Sequence, residues 1–164
     1  MKSLISLVML GGVLALSACG DNSVDPDRRY LVAPRASQAE TTRLHANETP
    51  ELRRLINKYS AEYQVPPELI HRIIIRESHH RPGARNGPYY GLMQILPATA
   101  RGMGYRGPAG GLLDAETNLK YGVKYLRGAY LVGGGNHDAA VKWYSRGYYF
   151  EAKRKGLLEE TGLR

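Results

Sequence analysis

One acidic side chain, Glu77, stands where its type and spacing suit acid chemistry. It follows Ile73 by four residues and Ile74 by three, so it continues the apolar face of a helix that starts at Pro66-Pro67. Burial on that face and the negative end of the helix dipole both disfavour an ionised carboxylate. Both effects raise the pKa of the Glu77 carboxyl, which predicts a general acid that works near neutral pH.

A structural role for Glu77 is equally compatible with this spacing. Arg72, Arg76 and Arg81 lie close to it in sequence. An ion pair at a helix end also perturbs a carboxylate without any catalytic purpose. Spacing alone therefore leaves the ion pair and the general acid as open alternatives.

The residues that follow this acid have the character of a ligand-binding loop. Residues 81–88 are rich in Gly and Pro and cannot continue the helix. Tyr89 and Tyr90 then offer flat amphipathic faces, and Gly91 allows another group to approach the backbone closely. The Gln94 amide both donates and accepts hydrogen bonds, which suits sugar hydroxyls and acetamides. Each feature is also common in ordinary loops, but together they predict a cleft beside the acid.

The elements that must hold this stretch in place are predicted to be helices, because strand signals are weak. Asp114, Glu116 and Asp138 are interpreted as helix caps, and Gly122 and Gly128 indicate close packing against another helix. The result is a mainly helical domain of about 115 residues with little or no β structure. The predicted helices cover residues 49–64, 66–78, 96–101, 114–132, 138–144 and 149–158.

The segment before this domain predicts an exported lipoprotein. Residues 1–18 have the layout of a signal peptide, with a basic start and an apolar run too short to span a bilayer comfortably. The Leu-Ser-Ala-Cys sequence that ends at Cys19 resembles the bacterial lipobox, so Cys19, the only cysteine, is the expected lipidation site. Gly20 favours the outer over the inner membrane of a Gram-negative host. Residues 19–48 lack an apolar period and predict a flexible tether, after which the catalytic domain covers 49–164.

The net charge of the chain limits the classes of molecule that are expected to bind it. The formal net charge is +8, and all of this positive excess lies after residue 48, because the charges of residues 1–48 cancel. A basic domain attracts polyanions, but export and the lack of a nucleic-acid-binding motif argue against nucleic acid. Peptidoglycan and anionic lipid headgroups are the expected partners, unless the charge serves solubility alone.

Four short motifs run along the chain in order. They are Glu77-Ser78, Gly91-Leu92-Met93-Gln94-Ile95, Asn118 with Gly122 and Tyr125, and Trp143-Tyr144-Ser145. In this order they resemble the soluble-type lytic transglycosylases of glycoside hydrolase family 23, whose domain is similar to goose-type lysozyme. The resemblance covers about residues 49–150. Asn86 and Ser145 depart from the family pattern, which normally has Ser and Asn at these positions.

The resemblance implies a lysozyme-like fold with a central catalytic helix, and cleavage of the β-1,4 bond between N-acetylmuramic acid and N-acetylglucosamine. Glu77 would act first as acid and then as base, which leaves a 1,6-anhydro product and needs no cofactor or metal. Tyr144 would bond Glu77 or the substrate acetamide, and Gln94 and Tyr125 would contact sugar. Ser78 and Met93 complete the substrate-binding residues that the motifs imply.

Three other hypotheses stay open. The same fold can serve a lysozyme-like hydrolase that uses water, or a wall-binding lipoprotein with a degenerate site, as Asn86 and Ser145 suggest. A metal site built from Glu77, His79 and His80 is the weakest of the three, because the chain has no His-Glu-x-x-His pattern.

Overall fold

The computed structural model of the chain describes residues 43–163, which form a mainly helical domain. This confirms the predicted fold class, with its small share of β structure. In chain order the elements are α1 (Pro50–Tyr63), α2 (Pro67–Glu77), β1 (Arg85–Asn86), β2 (Tyr89–Tyr90), α3 (Pro97–Gly102), a 3-10 helix (Ala109–Leu113), α4 (Ala115–Val132), α5 (His137–Arg146) and α6 (Tyr149–Lys155).

Local signals set the ends of α1 and α2, as the sequence predicts. The Thr49 hydroxyl accepts a hydrogen bond from the Leu52 amide at 3.1 Å and so caps α1. Gln64 ends α1 with a left-handed φ of 52°, and Pro67 then stands in the first turn of α2. This short connection makes the two helices neighbours in the fold.

Helix α2 lies in the hydrophobic core. Leu69, Ile70, Ile73 and Ile74 are each 0% exposed and share one cluster with residues of α1, α4 and α5. Burying a side chain of this size stabilises the fold by roughly 1.5–3 kcal/mol. The helix is therefore held in rotation and depth, which fixes the position of Glu77 at its carboxyl end.

Two glycines of α4 lie against large side chains. A Cβ at Gly122 would overlap the Met93 side chain, and a Cβ at Gly128 would overlap the Tyr148 ring. The predicted close packing is present, but the partners are a loop methionine and the tyrosine before α6 rather than the face of a second helix. The loop that carries Met93 is thereby seated directly on α4.

Two of the three predicted caps are wrong. Glu116 lies in the first turn of α4, where its carboxylate pairs with Lys58 of α1 at 2.5 Å instead of capping the helix. Asp114 does cap α4 by accepting a backbone amide hydrogen bond at 2.8 Å. Asn136, and not Asp138, caps α5, because its side chain reaches the free amide of the first turn at 2.9 Å. Asp138 lies inside that turn and pairs with Arg72 of α2 at 2.6 Å.

The last helix ends earlier than predicted. Helix α6 stops at Lys155 rather than near Leu158, because Gly156 adopts a left-handed φ of 72° and terminates it. The chain then continues in turns, where the Thr161 hydroxyl donates to the Leu157 carbonyl at 2.6 Å.

The loop after α2 contains a short hairpin that the weak strand signals do not indicate. Arg85 pairs with Tyr90 and Asn86 pairs with Tyr89 in antiparallel register. An isolated bridge between Tyr90 and Ile95 then brings the chain back beside the hairpin. The loop is therefore a folded wall next to the end of α2.

Residues 43–48, at the end of the predicted tether, contact the helices. Glu48 is 7% exposed and receives two hydrogen bonds from the Arg53 guanidinium of α1, at 2.6 and 2.7 Å. The predicted signal peptide, Cys19 and the remainder of the tether lie outside the described residues. Within residues 43–163, no helix combines the length and apolarity that a membrane crossing needs.

Candidate active site

Glu77 is the last residue of α2, and its side chain is 24% exposed. Burial raises the pKa of the Glu77 carboxyl, and the positive charge of Arg76 partly opposes that rise. The Arg76 Nε lies 3.5 Å from the Glu77 Oε1, but the Arg76 side chain is 54% exposed, so solvent weakens its effect. The net result is a raised pKa, as a general acid requires.

The two other arginines considered as partners of Glu77 have different contacts. Arg72 pairs with Asp138 at 2.6 Å. The Arg81 Nε donates to the Ser78 carbonyl at 2.9 Å. Of these three arginines, Arg76 alone lies within ion-pair distance of Glu77, and its weak pairing leaves the carboxyl free to exchange a proton.

An open cleft of about 470 Å³ lies beside Glu77. Its polar lining includes Arg81, Arg85 and Asn86 from the hairpin loop and Gln94 from the segment that follows. The volume falls in the usual range for ligand pockets, roughly 300–1,000 Å³. An open groove of this kind suits an extended polar chain better than an enclosed apolar ligand.

Gln94 lines the cleft and hydrogen-bonds the hairpin loop. Its amide nitrogen donates to the Ala84 carbonyl at 3.1 Å and to the Gly91 carbonyl at 2.8 Å. Its backbone has a left-handed φ of 46°, which is uncommon outside glycine. Gln94 therefore joins the two ends of the hairpin loop and lines the cleft at the same time.

Tyr144 connects α5 to the loop next to Glu77. It is 8% exposed, and its hydroxyl donates to the Met93 carbonyl at 2.8 Å. Burial and then the negative charge of Glu77 raise the pKa of Tyr144 well above its usual value. The hydroxyl proton is directed at Met93 rather than at Glu77, but the two side chains are close enough to interact electrostatically.

Asn118 of α4 holds the loop from below. Its side-chain oxygen accepts from the Met93 amide at 2.9 Å, and its nitrogen donates to the carbonyls of Tyr90 and Leu112, each at 2.8 Å. Gly91 lies so close that a Cβ there would overlap the Asn118 amide. This supporting role of Asn118 was not predicted, although a polar residue next to the inward positions of α4 is a sequence signal for it.

The remaining predicted site residues have structural contacts. The Ser78 side chain is buried and bonds back to the Ile74 carbonyl at 3.3 Å. The Met93 side chain is 0% exposed. The Tyr125 ring packs edge-on against Tyr144, with 5.2 Å between centroids. The structure thus brings Glu77 and Gln94 to the cleft, packs Tyr125 against Tyr144, and buries Ser78 and Met93.

His79 and His80 do not form a metal site together with Glu77, which was the weakest of the alternative hypotheses. The His79 side chain is exposed, whereas His80 is buried, with its Nε2 3.0 Å from the His71 Nδ1. Among the described residues, the group that could hold a metal ion includes His80 but neither Glu77 nor His79.

A profile described as "Transglycosylase SLT domain" matches residues 54–159. The chain belongs to the SLT transglycosylase family. The matched range contains Glu77, the hairpin loop, Gln94, Asn118 and Tyr144. The family assignment therefore rests on the same part of the chain that forms the cleft.

Two curated members of this family are similar to the chain. The soluble lytic murein transglycosylases of Escherichia coli K12 and of Escherichia coli O157:H7 are each 33% identical to it over 101 residues, which is 57% of this chain. The chain spans only 16% of the length of either relative.

A solved structure has the same fold. The crystal structure of the 70 kDa soluble lytic transglycosylase from Escherichia coli aligns with a TM-score of 0.54 and 27% identity, over 65% of this chain and 18% of that chain. The predicted lysozyme-like SLT fold is thereby confirmed.

Proposed function

We propose that this SLT domain is a peptidoglycan lytic transglycosylase in which Glu77 is the acid and base. The observation that carries the proposal is a carboxyl with a burial-raised pKa at the rim of an open polar cleft, in a chain of the SLT family. The substrate is the β-1,4 bond between N-acetylmuramic acid and N-acetylglucosamine.

In the proposed reaction, protonated Glu77 donates its proton to the glycosidic oxygen as the bond from that oxygen to C1 breaks. The muramyl acetamide oxygen stabilises the positive charge that develops on C1. The Glu77 carboxylate then removes the proton from the C6 hydroxyl as O6 bonds C1. The product is a 1,6-anhydromuramyl end, no water is consumed, and Glu77 regains its proton.

The lining of the cleft supports a mechanism with one carboxylate. Most glycosidases use two carboxyl groups, about 5–10 Å apart, on either side of the bond that breaks. Among the described residues that line this cleft, Glu77 is the acidic one. A reaction in which one group serves in turn as acid and base fits this lining better than one that needs a second carboxylate.

The basic side of the cleft supports an anionic glycan as substrate. Arg81 and Arg85 line it, and the Arg85 guanidinium lies 4.8 Å from the centre of the Tyr90 ring. Stacking on an aromatic face holds the arginine in place. Both arginines are positioned to attract the carboxylates of peptidoglycan stem peptides.

The decisive experiment is digestion of purified sacculi followed by mass spectrometry of the released fragments. The wild-type chain should release fragments with anhydro ends, and Glu77→Gln should release none. Glu68→Gln is the matched control, because Glu68 lies on the same helix but is exposed in its first turn. It should keep full activity.

The same assay separates the two rivals. A lysozyme-like hydrolase would release reducing ends in place of anhydro ends. A non-catalytic wall-binding protein would leave sacculi intact while wild type and Glu77→Gln bind them equally. Either result would overturn the proposed reaction.

We also propose that the domain is exported and that, after removal of residues 1–18, a lipid on Cys19 anchors it to a membrane. The outer membrane is favoured over the inner one. The sequence around Cys19 supports this. Wild type should incorporate a radiolabelled fatty acid, and the Cys19→Ser variant should not. Equal incorporation of label by both would contradict the anchor.

A further inference from the structure

Four potential metal ligands converge on the side of α2 where the chain enters the domain. His45 and Glu48 come from the segment before α1, His71 from α2, and His80 from the turn after Glu77. Each offers one ligand atom, and these atoms all lie within 4.8 Å of one another. The four residues are called the histidine cluster below.

We propose that the histidine cluster binds one divalent transition-metal ion, with Zn²⁺ the best fit. Three imidazoles and one carboxylate match the ligand types and the ligand number of a four-coordinate zinc site. The site is distinct from the cleft, since Glu77 is not a member, and the proposal goes beyond the transglycosylase reaction.

The distances inside the cluster suit a small tetrahedral ion. The His71 Nδ1 lies 3.0 Å from the His80 Nε2, and the four ligand atoms, one from each residue, all lie within 4.8 Å of one another. Ligand atoms around a tetrahedral zinc ion are about 3.3 Å apart, since each lies about 2.0–2.1 Å from the metal. Small side-chain rotations are therefore enough to bring the ligands into coordination.

Neighbouring groups already orient the carboxylate. The Arg53 guanidinium donates to both Glu48 oxygens, at 2.6 and 2.7 Å, and the backbone amide of His45 donates to the Glu48 Oε2 at 2.8 Å. Carboxylates that bind metals are commonly hydrogen-bonded in this way by an outer shell. Each carboxylate oxygen has a second lone pair, so these hydrogen bonds leave the Glu48 Oε1 able to bind an ion.

Ring contacts hold the imidazoles together as a group. The centroids of the His45 and His71 rings lie 4.5 Å apart, and those of the His71 and His80 rings lie 5.3 Å apart. The His45 ring stacks on the His80 ring, with 5.0 Å between centroids and 10° between planes, so the exposed member is also held in the group.

The backbone is bent to bring His80 inward. His79 and His80 have φ values of 52° and 59°, and two consecutive non-glycine residues in the left-handed region carry strain. The bend leaves His79 exposed and buries His80 against His71. The strain must be offset by favourable contacts of His80, and coordination of an ion by its imidazole would add to them.

The cluster also joins a segment outside the family match to one inside it. His45 and Glu48 precede the matched range of 54–159, whereas His71 and His80 belong to it. An ion held by all four would cross-link the start of the domain to the turn three residues beyond Glu77. Metal binding would therefore stabilise the fold by mass action, since the unfolded chain does not present the ligands together.

The test is zinc binding by the full chain, without a purification tag, after chelator treatment. Zinc content is measured by elemental mass spectrometry and affinity by competition with a chromophoric chelator. Wild type should bind one Zn²⁺ per chain, with a dissociation constant below about 1 µM. Saturating zinc should also raise Tm by roughly 5 °C or more.

A matched pair of variants locates the site. His79→Asn and His80→Asn make the same change at adjacent left-handed positions, which asparagine tolerates. His79→Asn should bind zinc as wild type does. His80→Asn should bind at least about 100-fold more weakly, since even outer-shell partners of a metal site are worth 10–100-fold.

His45→Ala, at the exposed member, is a second variant that avoids the core and should also weaken binding. If His80→Asn does not fold by circular dichroism, His45→Ala decides the question. Absence of stoichiometric zinc in folded wild type, or full zinc binding by His80→Asn or His45→Ala, would overturn the site in favour of a closed hydrogen-bonded cluster. These readouts do not involve peptidoglycan, so their failure leaves the proposed reaction unaffected.

Discussion

At the scale of single residues, two opposing influences act on the Glu77 carboxyl. Burial removes water from it, and Arg76 places a positive charge 3.5 Å away. Burial prevails, because more than half of the Arg76 side chain is in solvent. The direction of the Glu77 pKa shift therefore depends on packing, and Arg76 reduces its size.

Replacement of Arg76 by Gln should shift the pH dependence of activity. Arg76 lowers the pKa of Glu77, so its removal raises that pKa further. Because the proposed reaction starts from protonated Glu77, the alkaline limb of kcat/KM should move to higher pH. The measurement is the pH profile of kcat/KM on a soluble glycan strand.

Arg72→Gln is the control for this shift, because Arg72 pairs with Asp138 instead. Its alkaline limb should stay where wild type has it. A shift to lower pH in Arg76→Gln would show that Arg76 does not act on Glu77 in this way.

Tyr144→Phe should reduce activity by more than its effect on stability accounts for. It removes the hydrogen bond to the Met93 carbonyl beside Glu77, at a cost of about 1–3 kcal/mol in unfolding free energy. Tyr148→Phe removes an equivalent bond, from the Tyr148 hydroxyl to the Tyr125 carbonyl at 2.9 Å. Urea unfolding and kcat are measured for both variants. Equal losses of kcat at equal loss of stability would assign Tyr144 a merely structural role.

At the scale of elements, the site depends on how α4 supports the loop after α2. Asn118 bonds three backbone groups of the loop and its surroundings, and Gly122 leaves room for Met93. Met93 in turn presents the carbonyl that receives the Tyr144 hydroxyl. Helix α4 thus positions the cleft without lining it.

Gly122→Ala should destabilise the domain by about 1–3 kcal/mol and reduce activity, since the added methyl group overlaps the Met93 side chain. Gly102→Ala is the matched control. Gly102 ends α3 without a left-handed φ, and the added methyl group would lie in open space, so this change should be neutral or slightly stabilising. Urea unfolding and sacculus digestion measure both effects. Equal stability of the two variants would show that Met93 adjusts freely.

At the scale of the whole molecule, a net charge of +8 favours anionic partners over long range, and part of that positive charge lies at the cleft. Arg81 and Arg85 line the cleft, whereas Lys120 and Lys142 are exposed outside its lining. General attraction depends on net charge alone, but substrate recognition depends on where the charge lies.

Binding to sacculi should therefore fall more for Arg81→Gln with Arg85→Gln than for Lys120→Gln with Lys142→Gln. Both double variants lose the same charge, and Glu77→Gln serves as the inactive background. The expected difference is several-fold at 0.1 M salt, and it should shrink at about 1 M, where the Debye length is near 3 Å. A co-sedimentation assay measures it. Equal losses would assign the attraction to net charge.

The sequence by itself determined the features that depend on neighbours along the chain. Apolar spacing placed Glu77 on the inward face of α2, and caps such as Thr49 and Asp114 placed helix starts, because helices are governed by contacts three or four residues apart. The predicted caps at Glu116 and Asp138 were wrong because another polar residue within the same turn is the cap. The predicted end of α6 at Leu158 was wrong because the helix stops at Lys155, before Gly156.

Only the tertiary structure decided contacts between distant parts of the chain. The Tyr144 hydroxyl meets a carbonyl 51 residues away, and Glu48 reaches His71 across a turn of the fold. Such pairs follow from the packing of α1, α2, α4 and α5 around one core, and no periodicity along the chain encodes them. For that reason the partly buried position of Glu77 was predictable from its helix, whereas the histidine cluster became visible only in the folded domain.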